Sequence, residues 1–275
     1  MNKVNLLVVV LIFNLTCFSQ KKEKIKGDKN VTTITKTISK GFNAVEVDDA
    51  LELTIKQGGK NSYTITADNN LQDIIRFTVV DSILKINTIN RITSSKKLEI
   101  GLMFKNLEHI IVKNDAQVEG EGSIESSIVR INAYDSSKFD FDIKATDIVV
   151  TMQKNTKGKL KGKSTNTTII MNDRSDLEAS VVADKTTVTL TKSAELKLEG
   201  NCDLVDFNLK DETELDARKM KVASADLYTS DGSEVFIYVD KKLDIYAKGK
   251  STIYVYGDPK FNLKGLRDKS KIIKK

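Results

Sequence analysis

The stretch YTSDGSEVFIYVD, Tyr228–Asp240, decides how this chain is read. Its three carboxylates around a DGS turn suggest a cation or sugar site. The apolar and aromatic alternation that follows suggests one strand of a repeating array. Self-similarity separates the two readings, because stacked supersecondary units leave a fixed period in the sequence. From residue 114 onward one unit recurs: a polar turn, a small residue, a usually polar residue and an apolar one. It reads DAQV ending at Val118, SSKF at Phe139, KGKL at Leu160, RSDL at Leu177, SAEL at Leu196, ETEL at Leu215, GSEV at Val235 and KSTI at Ile253. Successive apolar members lie 21, 21, 17, 19, 19, 20 and 18 positions apart, which is a solenoid period. The opening stretch is the seventh of eight turns.

A rung near 19 residues with short apolar-alternating strands suits an all-β, parallel β-helix, in which the backbone groups of each coil pair with the coils on either side at about 4.8 Å per layer. The small residues Ala116, Ser137, Gly158, Ser175, Ala194, Thr213, Ser233 and Ser251 are expected at a sharp corner. The hexapeptide spacing of left-handed β-helices and the acidic, glycine-rich nonapeptide of calcium-binding rolls are both absent, so a right-handed coil is expected. Upstream, FNAVEV, LELTIKQGG, SYTITA, IIRFTVV, ILKINTI and KLEIGLMF read as less regular strands, and NNLQDIIRF as a site for one helical turn. DDALEL, Asp48–Leu53, resembles the later motif, so this region is expected to form the first coils and to cover the open end of the core. The expected organisation is a leader over 1–19, a linker over 20–30, an N-terminal β lobe over 31–112, regular coils over 113–257, and a C-terminal cap with a basic tail over 258–275.

The composition agrees: 275 residues, 40% apolar and 30% charged, with one proline and no tryptophan, belong to an ordered, strand-rich chain. Met1–Gln20 reads as a signal peptide, with Lys3 as its positive start, LLVVVLIF as an apolar run too short to span a bilayer, and CFS as small residues at cleavage spacing. Export to the periplasm or cell surface is expected. A lipoprotein attached through Cys17 is the alternative, against which NLTC lacks the usual small residues before a lipidated cysteine. After cleavage Cys202 is the sole thiol, so no intrachain disulfide can form. The formal charge of +6 is spread over lysines interleaved with acids, and only KSKIIKK is locally dense. That is not the clustered basic face of a nucleic-acid binder. No motif implies a cofactor, and no later apolar run is long enough for a transmembrane segment.

FNAVEV, LTIKQGG, ADNNLQDIIRFTVVDSILKI, NLEHIIVKNDAQVEG and the closing YVYGDPKFNLKGL, in that order, resemble the "putative auto-transporter adhesin head GIN domain" family of exported bacterial envelope proteins, over roughly residues 31 to 272. The resemblance implies a right-handed β-helical fold, often in two consecutive lobes. It implies no reaction and supplies no catalytic motif.

Two sets of outward-facing residues are candidate sites. Phe236, Tyr238, Tyr254 and Tyr256 alternate with inward Val235, Ile237, Ile253 and Val255, and stacking the two rungs sets Phe236 over Tyr254 and Tyr238 over Tyr256. Such a patch suits a surface glycan or an envelope protein. The competing structural role is that KFNLKGL, Lys260–Leu266, folds back over the rings as a cap. The second set is the acid column Asp176, Glu195, Glu214 and Glu234, which could recruit calcium, against the plainer reading of solvated carboxylates paired with lysines. The column of residues that follow each apolar one, Asp140, Lys161, Glu178, Lys197 and Asp216, alternates in sign and is expected to be a stabilising ladder. His109 stands alone in LEHIIV, and rungs of near-equal length cannot build the long-loop walls of a polysaccharide-cleaving cleft. The expected function is therefore a non-enzymatic, adhesin-like or ligand-binding module, with a polysaccharide-active enzyme or a purely structural envelope component as alternatives.

Overall fold

The computed structural model describes residues 22–275, so the expected leader and Cys17 lie outside the described residues. The N-terminal part contains β1 (Lys24–Lys26), β2 (Val31–Thr37), β3 (Ala44–Val47), β4 (Glu52–Gln57), β5 (Ser62–Asp68), the single helical turn α1 (Asn69–Gln72), β6 (Ile75–Val80), β7 (Ile83–Thr88), β8 (Arg91–Ser94), β9 (Leu98–Phe104) and β10 (His109–Val112). The regular coils follow as β11 (Gln117–Ala133), β12 (Lys138–Met152), β13 (Lys157–Met171), β14 (Asp176–Leu190), β15 (Glu195–Leu209), β16 (Glu214–Thr229) and β17 (Glu234–Ala247). The chain closes with β18 (Thr252–Tyr256), β19 (Lys260–Leu266) and β20 (Lys271–Lys274). The fold is a β-solenoid of about nine turns with rungs near 19 residues. No helix among the described residues is long and apolar enough to cross a membrane.

Each regular rung begins at a reversal of two left-handed residues: Asn114/Asp115, Asp135/Ser136, Lys154/Asn155, Asp173/Arg174, Lys192/Ser193 and Asp211/Glu212 all have φ between 52° and 64°, and Asp231/Gly232 has 57° and 85°. Outside glycine this region is costly, least so for Asn and Asp. The stacking offsets the cost. Each second residue donates its amide to the first residue's carbonyl one rung on, as in Asp115 to Asp135 (3.0 Å), Asn155 to Asp173 (3.0 Å) and Ser193 to Asp211 (3.0 Å). The residue after each reversal is small and sealed: Ala116, Ser137, Thr156, Ser175, Ala194, Thr213 and Ser233 are all at most 1% exposed. The strand then alternates, burying Leu177, Ala179, Val181 and Ala183 in β14, and changes parity across Asp184 and Lys185 before burying Thr186, Val188 and Leu190. That parity change is a second bend.

One rung departs from the sequence reading. The unit at 155–160 is not KGKL ending at Leu160: Phe139 stands opposite Gly158, and Gly158 opposite Leu177, so Gly158 occupies the apolar position and Thr156 the small corner. The spacings become 21, 19, 19, 19, 19, 20 and 18. The physical reason is volume exchange. A Cβ on Gly158 would lie 2.4 Å from Phe139 Cζ, so the ring of one rung fills the space that a side chain of the next would take.

Inward positions form continuous columns. Leu84, Val45, Ile110, Ile131, Val150, Ile169, Val188, Phe207, Leu227 and Ile245 stack in register, and all are at most 2% exposed. Each such side chain contributes about 1.5–3 kcal/mol through burial.

The N-terminal region does not wind on in chain order. β3 and β4 pair with β7 and β9 on one side and with β10 and β11 on the other, so the chain starts one layer in, goes out to the end, and returns past its own first coil. The antiparallel pairs β2–β5, β5–β9 and β6–β7 finish that end. Asp68 secures it: its carboxylate, without solvent contact, accepts amides from Lys96 (3.0 Å) and Lys29 (3.3 Å). Within the segment expected to be a linker, Lys24–Lys26 forms a strand paired with β8.

Candidate functional site: the aromatic wall of the last coils

β17 and β18 run parallel with Phe236 opposite Tyr254 and Tyr238 opposite Tyr256, because inward Val235, Ile237, Ile253 and Val255, each at most 1% exposed, turn the alternate residues to the wall. The four rings lie side by side as the alternation requires. Phe236 and Tyr254 stack with centroids 4.6 Å apart and planes 4° from parallel. Lys260–Leu266 does not cover them: it pairs with Lys242–Ala247 on another wall of the coil, as one more partial rung.

The surroundings add groups that the spacing did not identify. β16 carries a bulge, with Ala217 opposite Ile237 but Val222 opposite Val239, and Arg218 projects from it. Two hydrogen bonds to Asp216, Nε–Oδ1 at 2.9 Å and Nη2–Oδ2 at 2.6 Å, hold the guanidinium 5.0 Å above the Phe236 ring. At the other end Lys275 Nζ stands 5.3 Å from the Tyr254 centroid. The carboxyl of Asp216 is held below its usual range, first by the Arg218 hydrogen bond. The Tyr238 phenol is pushed up by its hydrogen bond to Asp240. The only trace of the bulge in the sequence is the 20-residue step from Leu215 to Val235.

This geometry alters the chemistry expected of the patch. The stacked faces of Phe236 and Tyr254 point along the solenoid axis and are taken by one another and by the two cations. Beside these two rings stand Tyr238, Tyr256, the Arg218–Asp216 pair and Asp240. Sugar stacking needs a free ring face, so a ligand at Phe236 and Tyr254 would be held by hydrogen bonds to the hydroxyls and charged groups around them. A second stack, Tyr228 on Tyr246 at 5.3 Å, has Lys210 and Lys248 near the Tyr228 ring and Arg267 near Tyr246, repeating the motif on a different wall.

Asp176, Glu195, Glu214 and Glu234 do form one column in register. They line up along the axis rather than converge, and among the described residues no group of three or more His, Cys, Asp or Glu could hold a metal ion. A column spaces its carboxylates a rung apart, whereas calcium gathers six to eight oxygens around one point, so the column by itself supplies only part of a calcium shell. The repulsion is still felt, since burial first and then Glu195 and Glu234 raise the Glu214 carboxyl. At the head of the column stands Lys157, 3.9 Å from Asp176, where the sequence motif puts Lys159.

The adjoining column runs Asp140, Lys159, Glu178, Lys197, Asp216, alternating in sign as expected once Lys159 takes the place read for Lys161. Lys197 reaches Glu178 at 3.5 Å. The column lines a shallow open groove with Lys219 beyond it. The reversals repeat the pattern, Lys154 meeting Asp135 at 2.9 Å and Lys192 meeting Asp173 at 3.4 Å. His109 lies 3.3 Å from Asn132 Oδ1. Cys202 is buried against Thr186 (3.3 Å) and the Leu204 carbonyl (3.1 Å), and burial raises its thiol.

The fold has solved relatives. A "putative adhesin" from Parabacteroides merdae is 18% identical and superposes with a TM-score of 0.62, over 92% of this chain and 99% of that one. A "putative lipid binding protein" from Parabacteroides distasonis is 19% identical with a TM-score of 0.65 over the same shares. A "putative adhesin" from the same species is 15% identical with a TM-score of 0.69, over 92% of this chain and all of that one. At such identity the likeness shows the fold alone. No curated protein matches the chain significantly. The family model described as "putative auto-transporter adhesin, head GIN domain" matches residues 41–182 and again 163–259, and with both matches together spanning most of the solenoid, the chain belongs to that family.

Proposed function

We propose that this protein is an exported, non-enzymatic component of the cell envelope that binds a surface partner through the walls of its solenoid, as an adhesin-like module. The observation that carries the reading is the wall at the last coils, where Arg218, Asp216 and Asp240 surround the rings of Phe236, Tyr238, Tyr254 and Tyr256 on a flat, solvent-facing surface. Flat walls favour holding an extended partner such as a surface glycan or an envelope protein over enclosing a reacting bond. Family membership supports the same direction. A glycan array probed with the chain from Gln20 onward, run beside a reducing-end release assay on the retained glycans, tests it. Retention without cleavage, weakened in Tyr256→Phe and Asp240→Asn, is expected. Release of reducing ends would replace the binding module with a polysaccharide-active enzyme.

A further inference from the structure

The solenoid ends openly at its C-terminal side. Among the described residues β19 pairs only with β17, and β20 only with β18, so each has an edge that no described strand takes. The inward columns end there: Phe261 lies under Leu243, Leu263 under Ile245, Leu266 under Ala247 and Ile272 under Ile253. Their partners are sealed, whereas Phe261 is 41%, Leu263 53% and Leu266 45% exposed. An apolar end of the core thus faces outward, which marks a contact surface in a stable protein.

Charge indicates what the contact is with. Residues 258–275 hold seven cations (Lys260, Lys264, Arg267, Lys269, Lys271, Lys274, Lys275) and two acids (Asp258, Asp268), a net +5 within a chain of formal charge +6. Lys264 is engaged by Asp226 and Asp244, and Lys274 by Asp258. Lys260, Lys269 and Lys271 have no ion-pair partner among the described residues. A second copy docking end to end would bring +5 against +5. Addition of a partner strand is opposed by the lysines along both edges and by the register irregularity in β19 opposite Ile245 and Tyr246, devices that blunt edge pairing. An anionic lipid surface satisfies every feature: its head groups take the cations and its acyl boundary takes Phe261, Leu263 and Leu266, while interfacial water solvates the open backbone.

We propose that the C-terminal end of the solenoid, formed by β19 and β20, docks on an anionic lipid surface, so that the coils stand out from a membrane with their walls free. The test is flotation of the chain from Gln20 onward, which keeps every described residue, with phosphatidylglycerol or phosphatidylcholine vesicles at low and at physiological salt. Co-flotation with the anionic vesicles only, weakening with salt, is expected. Each lysine contributes about fivefold, so Lys260→Glu/Lys269→Glu/Lys271→Glu lowers the partition constant at least tenfold. Phe261→Ser/Leu263→Ser/Leu266→Ser does likewise, with both variants keeping the wild-type circular dichroism spectrum. If the serine variant fails to fold, Leu263→Ser alone serves, with an expected loss of several-fold. Absence of co-flotation, equal binding to both vesicle types, unchanged binding of folded variants, or a dimer in sedimentation that these substitutions dissolve would each overturn the proposal.

Discussion

Replacing Gly158 with alanine should destabilise the protein, although glycine in a strand is ordinarily the weaker residue. Gly158 has an ordinary extended backbone, so the substitution alone should add about 0.4–1 kcal/mol by restricting the unfolded chain. The new Cβ, however, would lie 2.4 Å from Cζ and 2.7 Å from Cε1 of Phe139, and 2.9 Å from Cδ1 of Leu177. Overpacking of this kind costs about 1–3 kcal/mol, so the clash outweighs the entropic gain and a net loss of about 1–2 kcal/mol is expected. The two Phe139 atoms responsible are ones that leucine lacks. Phe139→Leu by itself should cost about 1–2 kcal/mol through the void it leaves. In that background Gly158→Ala should change sign and stabilise by several tenths of a kcal/mol, giving a coupling above about 1 kcal/mol. Urea unfolding followed by far-ultraviolet circular dichroism on the four proteins of the cycle measures this. Equal effects of Gly158→Ala in both backgrounds, or a stabilised single variant, would refute the pairing of these two residues and the register built on it.

Other outcomes follow from the ionisable groups. Glu214 is raised in the folded state, so its charge opposes folding as pH rises above about 4.5. Glu214→Gln should therefore raise the unfolding midpoint at pH 7, with a gain that fades below pH 4; a gain independent of pH would count against repulsion along the column. Asp68 is shifted the opposite way, lowered chiefly by the amide of Lys96. Its contribution is present above the ordinary carboxylate value and lost as pH falls through the folded one, so Asp68→Asn should lower stability at pH 7 and flatten the acid limb below about pH 3.8. A wild-type acid limb in the variant would remove Asp68 from that role. Cys202, buried and raised, should resist Ellman's reagent at pH 8 until urea unfolds the coils, and rapid labelling of the native protein would contradict its packing. Arg218→Ala should change the unfolding free energy by no more than about 0.5 kcal/mol, as exposed ion pairs do, while weakening retention of any glycan by the wall.

The period near 19, the small corner residue and the inward aliphatic made the solenoid legible without coordinates, because each rung repeats the same local problem of reversing the chain and burying one face. The aromatic pairings were legible for the same reason: once Val235 and Ile253 share a column, Phe236 and Tyr254 must share the next. Packing between rungs decided the rest. A motif search prefers Leu160 to Gly158 as the apolar member, since nothing local tells a strand that Phe139 already fills its space. The covering of the Phe236 and Tyr254 faces followed from a bulge that lets Arg218 reach Phe236 and from Lys275 reaching Tyr254. The return of β10 and β11 past β3 and β4, and the open end at β19 and β20, likewise depend on which edges remain unpaired after the whole chain has wound. Local periodicity is written into each rung, whereas volume exchange, cation placement and edge exposure are properties of neighbouring layers, which only the folded stack brings together.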